Sequence, residues 1–489
     1  MFEDEHSGHG VPETLPEMGY RLHWLGLVVL GVVGGGGLAG WSLGTMAVMS
    51  LVGFALLIAN RETFAGSMKA LWWRLAGWLL PVWVALGAFF IGLAFPAFRV
   101  VTVGSTRYWE LAPHPGTWAP LDAPIKIGGL DVLLSVGLFS ATLSAMLLCK
   151  SRLVFARAWA TLAFCAGVGA LLGIVESVTQ ASAVLWAIPI GNPLFFSTFA
   201  HPAQWCAFAL LWMSACLGVI AWLARQRGWR LLTGEGWALL LTLGLLGASI
   251  MLAGDPLHRM LALLVAAIGC LVIAWQSRIE RLRAKHSSLG VSVLGWALIG
   301  LLLFACAALL AVRHPVAEWI NYGGAGLALH ERVIEDTQTL WRERPWFGWG
   351  AGTFRIAYSF VQGADQTPLF FAYARSDLWQ SLAEHGLIGT LAWCVPAGWV
   401  LARLIWQRRL ATFLIAPLAG LGAIALLTIV DFPLASPVVF FSFWLMLLSL
   451  GRWSEVDKEN TTSAPSEKRR VEKLRAEGKT LPPKPAATA

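Results

Sequence analysis

Residues 203–223 read AQWCAFALLWMSACLGVIAWL, and Arg225, Arg227 and Arg230 follow them. No charged side chain interrupts the stretch. A helix that crosses a bilayer needs about 20 apolar residues, and arginines just past its end suit the water interface. The stretch is therefore read as a transmembrane helix. The same pattern repeats outward in both directions. Twelve apolar segments lie at roughly 22–40, 42–60, 76–97, 131–149, 154–175, 203–223, 234–253, 260–276, 292–312, 387–402, 411–430 and 434–450. The last two are separated only by the turn from Asp431 to Pro437.

The composition agrees. Of 489 residues, 57% are hydrophobic and 13% charged, and the mean hydropathy is +0.66. Soluble domains carry about 25% charged residues. So little charge cannot cover a globule of this size, which excludes a soluble enzyme, a disordered chain and a nucleic-acid-binding protein. The 27 Trp suit a protein with two lipid–water interfaces to anchor. Cys149, Cys165, Cys206, Cys216, Cys270, Cys306 and Cys394 lie in or beside apolar stretches, with no CxxC pair. They read as small buried hydrophobes, not as metal or disulfide sites. The N-terminus, MFEDEHSGHGVPETLPE, is acidic and lacks the basic start of a cleaved signal peptide. Insertion is expected to use the internal segments.

Lys and Arg in short loops mark the cytoplasmic side. Arg61, Lys69 and Arg74 follow segment two, and Lys150, Arg152 and Arg157 follow segment four. Arg225, Arg227 and Arg230 follow segment six, Arg278, Arg281, Arg283 and Lys285 follow segment eight, and Arg403, Arg408 and Arg409 follow segment ten. Every even-to-odd loop is basic, so both termini are expected in the cytoplasm. The expected fold is all-α: a polytopic bundle of about twelve transmembrane helices. Residues 1–21 form a cytoplasmic segment, 22–312 carry helices one to nine, and 387–450 carry helices ten to twelve. Residues 451–489 read as a mostly disordered cytoplasmic tail with a short helix in EKRRVEKLRAEG.

The opposite face carries a Pro-rich loop at 98–130, a loop at 176–202 ending in PLFFSTFAHP, and the tight turn from Gly254 to Arg259. It also carries the longest loop, 313–386, expected to be periplasmic and partly helical. A loop this long on a polytopic protein is rarely idle. Within it, ALHERVIEDTQTLWRER (328–344) puts Leu329, Val333, Leu340 and Trp341 at helical spacing. Pro345 ends that helix. Gly348, Gly350 and Gly352 then punctuate a turn in which backbone can approach something closely. Ser376 as N-cap, Asp377 in the first turn and Gly386 past the end signal a second helix. The loop holds Arg313, Arg332, Arg342, Arg344, Arg355 and Arg375, and no Lys. A guanidinium is a planar fork that fits phosphate oxygens; the plainer role is snorkelling at the interface.

These residues resemble the O-antigen ligase and polymerase family of bacterial envelopes. The family pattern runs from an Arg about thirteen residues before a Pro-x-x-Gly-x-Gly turn to an Ala-His-Asn-Asp-x-Leu box, and closes with Glu-x-Gly-x-x-Gly. Here Arg332, PWFGWGAGTF from Pro345, ARSDLWQSLA from Ala374, and Glu384, Gly386 and Gly389 follow that order. STFAHP (197–202) is similar to the family's Gly-Thr-Phe-x-Asn box. The turn Asp255–Arg259 stands where the family has a Ser-Arg pair, and VDFPL (430–434) is similar to its Val-Asp-Phe-Pro-Leu turn.

The resemblance implies an enzyme that moves a glycan from an undecaprenyl-diphosphate carrier to an acceptor hydroxyl at the outer face of a bacterial inner membrane. The acceptor would be a glycan, a lipid or a protein hydroxyl. No metal or other cofactor and no nucleic acid is implied, and membrane lipids are the surroundings. Arg332 and, through a degraded box, Arg259 would stabilise charge on the leaving diphosphate. The family's His falls on Arg375, which stays protonated and cannot act as a base but can bind phosphate. Asp377 is the candidate replacement base, and it also sits where a helix N-terminus takes an anion. Gly348, Gly350 and Glu384 are expected to shape the substrate side of the loop. His201, His330 and His385 are further titratable candidates. Two other classes fit the chain: a catalytically lapsed relative that binds lipid-linked glycan or scaffolds export, and a secondary transporter or flippase. The second would show broken helices and charges at mid-depth.

Overall fold

The computed structural model describes residues 13–59, 78–112, 119–121, 125–188, 195–227, 236–283, 316–363, 371–406 and 411–476. The ninth apolar segment, 292–312, lies outside them, as do Cys306 and Arg61, Lys69, Arg74, Arg230, Lys285, Arg313, Arg408 and Arg409. The helices in chain order are α1 (Leu15–Val33), α2 (Gly40–Ala59), α3 (Leu80–Gly92), α4 (Ile125–Leu147), α5 (Arg152–Val178), α6 (Pro202–Arg227), α7 (Gly236–Ala253) and α8 (Pro256–Arg283). They continue with α9 (Val316–Glu343), the single turn α10 (Phe354–Ala357), α11 (Asp377–Trp406), α12 (Ile415–Val430) and α13 (Pro437–Ala476). Among the described residues eight helices, α4 to α8 and α11 to α13, are long and apolar enough to cross a membrane. The protein is an all-α polytopic membrane protein. The apolar stretches of α2 and α3, Gly40–Gly53 and Leu80–Gly92, are shorter.

Helix α6 is the axis of the bundle. Its residues 204–223 are all buried, and α5, α7, α8, α12 and α13 pack around it. That explains a sequence apolar on every side, since a helix hydrophobic all round belongs in an interior. α8 is the contrast: Leu263, Leu264, Leu271 and Trp275 are exposed and form a face suited to lipid. Buried tryptophans tie helices together through their one polar atom. Trp24 donates to Ser144 at 2.9 Å, Trp159 to Ser449 at 2.9 Å and Trp205 to Ser249 at 3.2 Å. Each bond satisfies a donor that hydrocarbon could not.

The bundle has two polar ends. At one, the Glu17 carboxylate accepts the Lys150 and Ser151 N–H groups at 2.6 and 3.0 Å, and Arg157 pairs with Glu13 at 2.5 Å. Arg452 donates to the Cys149 carbonyl at 3.0 Å, and Arg403 pairs with Glu455 at 2.8 Å. Basic residues of the short loops thus gather beside the start of α1. At the other end Ser436 donates to the Gly36 carbonyl at 2.6 Å, and Thr198 donates to the Val32 carbonyl.

Three features differ from the sequence reading. The loop at 98–130 opens with an antiparallel hairpin, β1 (Phe98–Val103) and β2 (Thr106–Leu111), in which Val101 faces Tyr108. Its strands are rich in β-branched and aromatic residues, and Gly104 at φ +64° makes the two-residue turn. Helix α13 continues past the apolar boundary near 450, where a disordered tail was expected, as far as Ala476. Its first polar turn is anchored by the Arg452–Glu455 pair at 3.0 Å. Helix α9 begins at Val316, ahead of the expected start at 328, and ends at Glu343 before Pro345.

Candidate functional site

The glycine turn is built against α11. Trp349 N–H donates to the Ala383 carbonyl at 2.8 Å and Gly350 N–H to the Glu384 carbonyl at 2.9 Å; Leu387 N–H returns to the Pro345 carbonyl at 2.8 Å. Gly348, Gly350, Gly352 and Gly386 all have positive φ. A Cβ on Gly348 would lie 2.5 Å from the Glu384 carbonyl carbon, and one on Gly386 would lie 2.3 Å from the Trp346 carbonyl. Glycine is needed here for close backbone approach and for the left-handed conformation. Gly386 breaks α11 into an outer helix and a longer inner one. The buried Glu384 side chain accepts the Phe354 N–H at 2.9 Å, which holds α10. Arg344, also buried, lies over the Trp349 ring at 5.1 Å.

The start of α11 is joined to the turn after α12. Ser376 donates to the Ile429 carbonyl at 2.8 Å, and Asp377 N–H donates to the Asp431 carbonyl at 3.0 Å. Asp377 Oδ2 accepts the Leu434 N–H at 2.6 Å. The Asp377 side chain therefore caps the short turn at Pro433–Ala435, and it stands in the first turn of α11, where an anion was expected. Its carboxylate also lines a cavity of about 390 Å³ whose wall includes Asp131, Arg355, Tyr373, Gln380, Glu384 and His385 on one side and Leu134, Trp393, Phe440 and Trp444 on the other. The cavity is polar toward the outer loop and apolar toward the bundle.

Across the same turn lies a second group. Pro256 opens α8, and Asp255 caps it by accepting the His258 N–H at 2.9 Å. Asp255 Oδ1 also meets His258 Nδ1 at 2.8 Å. His258 Nε2 is buried without a hydrogen bond and stands 3.6 Å from Asp431 Oδ2. Arg259 Nε, on the next residue, is likewise buried and unpartnered. Buried polar atoms are nearly always satisfied, so two orphans on adjacent residues mark a place built for something else. Burial pushes the Asp431 carboxyl above its ordinary range, although His258 and Arg375 pull the other way. Burial also opposes charge on Asp255, but the hydrogen bond and charge of His258 hold its carboxyl below the ordinary range. Arg375 is exposed at φ +55°. Burial and then the charge of Arg375 lower both His201 and His330. The His201 ring meets Phe432 at 5.4 Å, and Phe432 stacks on Tyr373 at 5.3 Å.

The structure thus brings Arg259, Arg375, Asp377 and Glu384 to one end of the bundle. Arg332 is exposed on α9, two residues from His330, on which the charge of Arg375 acts. Gly348 and Gly350 shape the loop from within. The sequence reading missed His258, Asp255 and Asp431 as a set. The one local signal was the Asp-Pro start of α8; nothing in the sequence joins it to Asp431. One ring nitrogen and two carboxylates within 4.8 Å is a spacing that a cation can use. Here Nδ1 is already committed to Asp255, and Arg259 and Arg375 are close by, so added positive charge would be repelled. No protein-family model matches the chain, and no characterised protein matches it.

Proposed function

We propose that the protein is a glycosyltransferase of the O-antigen ligase and polymerase type. It moves a glycan from an undecaprenyl-diphosphate carrier to an acceptor hydroxyl at the periplasmic face of a bacterial inner membrane. In this reading the chain crosses the membrane twelve times, both termini are cytoplasmic, and residues 313–386 are periplasmic. The observation that carries it is convergence: the turn at Asp255–Arg259, the box at Ala374–Asp377 and the turn at Asp431–Leu434 meet through direct hydrogen bonds and a close ion pair, and Glu384 lines the same cavity as Asp377. Each was singled out in the sequence, and their spacing in the chain gives no reason for them to meet.

The chemistry of the site suits this donor. Glycosyl transfer from a diphosphate breaks the bond from the anomeric carbon to the phosphate oxygen, so negative charge grows on the leaving group. Fixed guanidinium donors in a water-poor site stabilise that charge. Arg259 has an unpartnered buried Nε for the purpose, exposed Arg375 acts on Asp431, and Arg355 lines the cavity. The half-polar, half-apolar cavity suits a molecule with a sugar end and a lipid end. The test uses the full chain in lipid nanodiscs with lipid-linked glycans extracted from membranes of a strain lacking the protein. Release of undecaprenyl diphosphate together with a glycosylated acceptor supports the reading. Binding of undecaprenyl diphosphate without transfer points to a lapsed relative, and neither binding nor transfer overturns both.

A further inference from the structure

A transferase of this kind has to dispose of the acceptor's hydroxyl proton, and the box that supplies an imidazole in similar sequences holds Arg375 here. Among the described residues, His258 alone lies between two carboxylates. Asp255 Oδ1 accepts from His258 Nδ1–H when the proton is on that nitrogen, and in the neutral form of the ring this leaves the lone pair on Nε2. That lone pair faces Asp431 Oδ2 at 3.6 Å. A proton shared between these two atoms would close the gap to about 2.7–2.9 Å. The orphaned Nε2 is explained if this is the resting state of a group waiting for a proton. Asp431 is the outer partner, with its side chain 16% exposed against 2% for His258, so an acceptor hydroxyl meets Asp431 first. Other groups near the trio are Cys206 from α6 and Arg259 beside His258, and, from the start of α11, Arg375, which acts on Asp431, and Asp377, whose N–H donates to the Asp431 carbonyl at 3.0 Å and whose carboxyl interacts with that of Asp431. Burial makes Asp431 a stronger proton acceptor than an exposed carboxylate.

We propose that Asp255, His258 and Asp431 form a proton relay that stands in for the imidazole missing at Arg375. The inference rests on the glycosyl-transfer reading. The acceptor oxygen bonds to the anomeric carbon as the bond from that carbon to the diphosphate oxygen breaks. The electron pair leaves with the diphosphate, whose charge Arg259 faces. The hydroxyl proton passes to Asp431 Oδ2 and is held on His258 Nε2, leaving an imidazolium that Asp255 stabilises; solvent takes the proton after product leaves. Asp431 touches the substrate. His258 and Asp255 act through it as positioning residues.

The experiment follows undecaprenyl diphosphate release by the full chain in nanodiscs against pH, and separately the binding of undecaprenyl diphosphate. His258→Asn keeps a donor toward Asp255 and removes the nitrogen that faces Asp431. Positioned acid–base groups contribute about 10²–10⁴-fold, so the rate should fall by about 10²-fold or more, with unchanged binding. The acid limb of the wild-type rate profile should shift in this variant, because the nitrogen that holds the transferred proton is gone. Asp255→Asn should lose a similar factor, and the double variant little more, because the two act as a unit. Asp255 is half-exposed, so this variant tests the relay even if His258→Asn folds poorly. A wild-type rate and pH profile in either folded variant overturns the relay and leaves glycosyl transfer standing. Absence of transfer and binding in the wild-type protein overturns the glycosyl-transfer reading itself.

Discussion

Asp377 Oδ2 accepts the Leu434 N–H at 2.6 Å, so a carboxylate from the outer loop caps the turn between the last two helices. This bond gives Asp377 a structural duty. Asp377→Asn keeps an oxygen for Leu434 and should retain transfer within about tenfold. Asp377→Ala leaves the N–H unpaired and should cost about 1–3 kcal/mol, read as a lower unfolding temperature in detergent. A rate loss of 10²-fold or more in a normally folded Asp377→Asn protein would make Asp377 the base after all.

The backbone contact between Gly386 and Trp346 carries a second prediction. A Cβ on Gly386 meets main-chain atoms at 2.3–2.4 Å, and the residue's φ is +63°. Neither the clash nor the conformation can relax without moving the turn. Gly386→Ala should therefore lose more than the roughly 1–3 kcal/mol of a strained backbone position. Gly398→Ala, on the same helix with no heavy atom within 4 Å of its Cβ, should be neutral or slightly stabilising. Thermal unfolding of the two variants compares them directly.

These two glycines also separate what the sequence disclosed from what it concealed. Gly386 was legible as a helix end because a lone glycine closes a strong helical signal after Asp377. Pro345 was legible as the stop of α9, and the apolar run of α6 as a span, because each is a local rule. The hairpin at Phe98–Leu111 had a signal that went unused: Gly-Ser between two β-branched and aromatic runs. Reading the third span as far as residue 97 and the following prolines as loop hid it. The Asp255–His258–Asp431 group had one local signal, the Asp-Pro start of α8, and none that joins it to Asp431. Only the packing of α8 against α12 around α6 brings its members together, and no spacing in the chain encodes that.

Topology gives a third prediction. The Glu17, Lys150 and Arg157 end of the bundle gathers the basic loops, and the proposed site lies at the other. In a Cys-depleted background, Gly363→Cys should react with an impermeant thiol reagent in intact spheroplasts, and Arg281→Cys should react only after lysis. The reverse pattern would put the site in the cytoplasm, away from the proposed substrate.

The arginines give the last prediction. Resemblance makes Arg332 and Arg259 a pair, but their surroundings differ: Arg332 is exposed, whereas Arg259 Nε is buried and unpartnered. A buried fork aimed at a diphosphate depends on its shape as well as its charge, and lysine keeps only the charge. Arg259→Lys should thus lose nearly as much undecaprenyl diphosphate affinity as Arg259→Ala. Loss of a charge-assisted bond is worth about 1.5–3 kcal/mol, or roughly 10- to 150-fold in Kd. Arg332→Lys should stay within about threefold of the native protein, since an exposed cation acts mainly through charge that lysine retains. Titration of each variant in nanodiscs at fixed salt decides the matter. If Arg332→Lys falls as far as Arg259→Lys, the exposed arginine reaches the diphosphate when substrate is bound, and the pair implied by resemblance is restored.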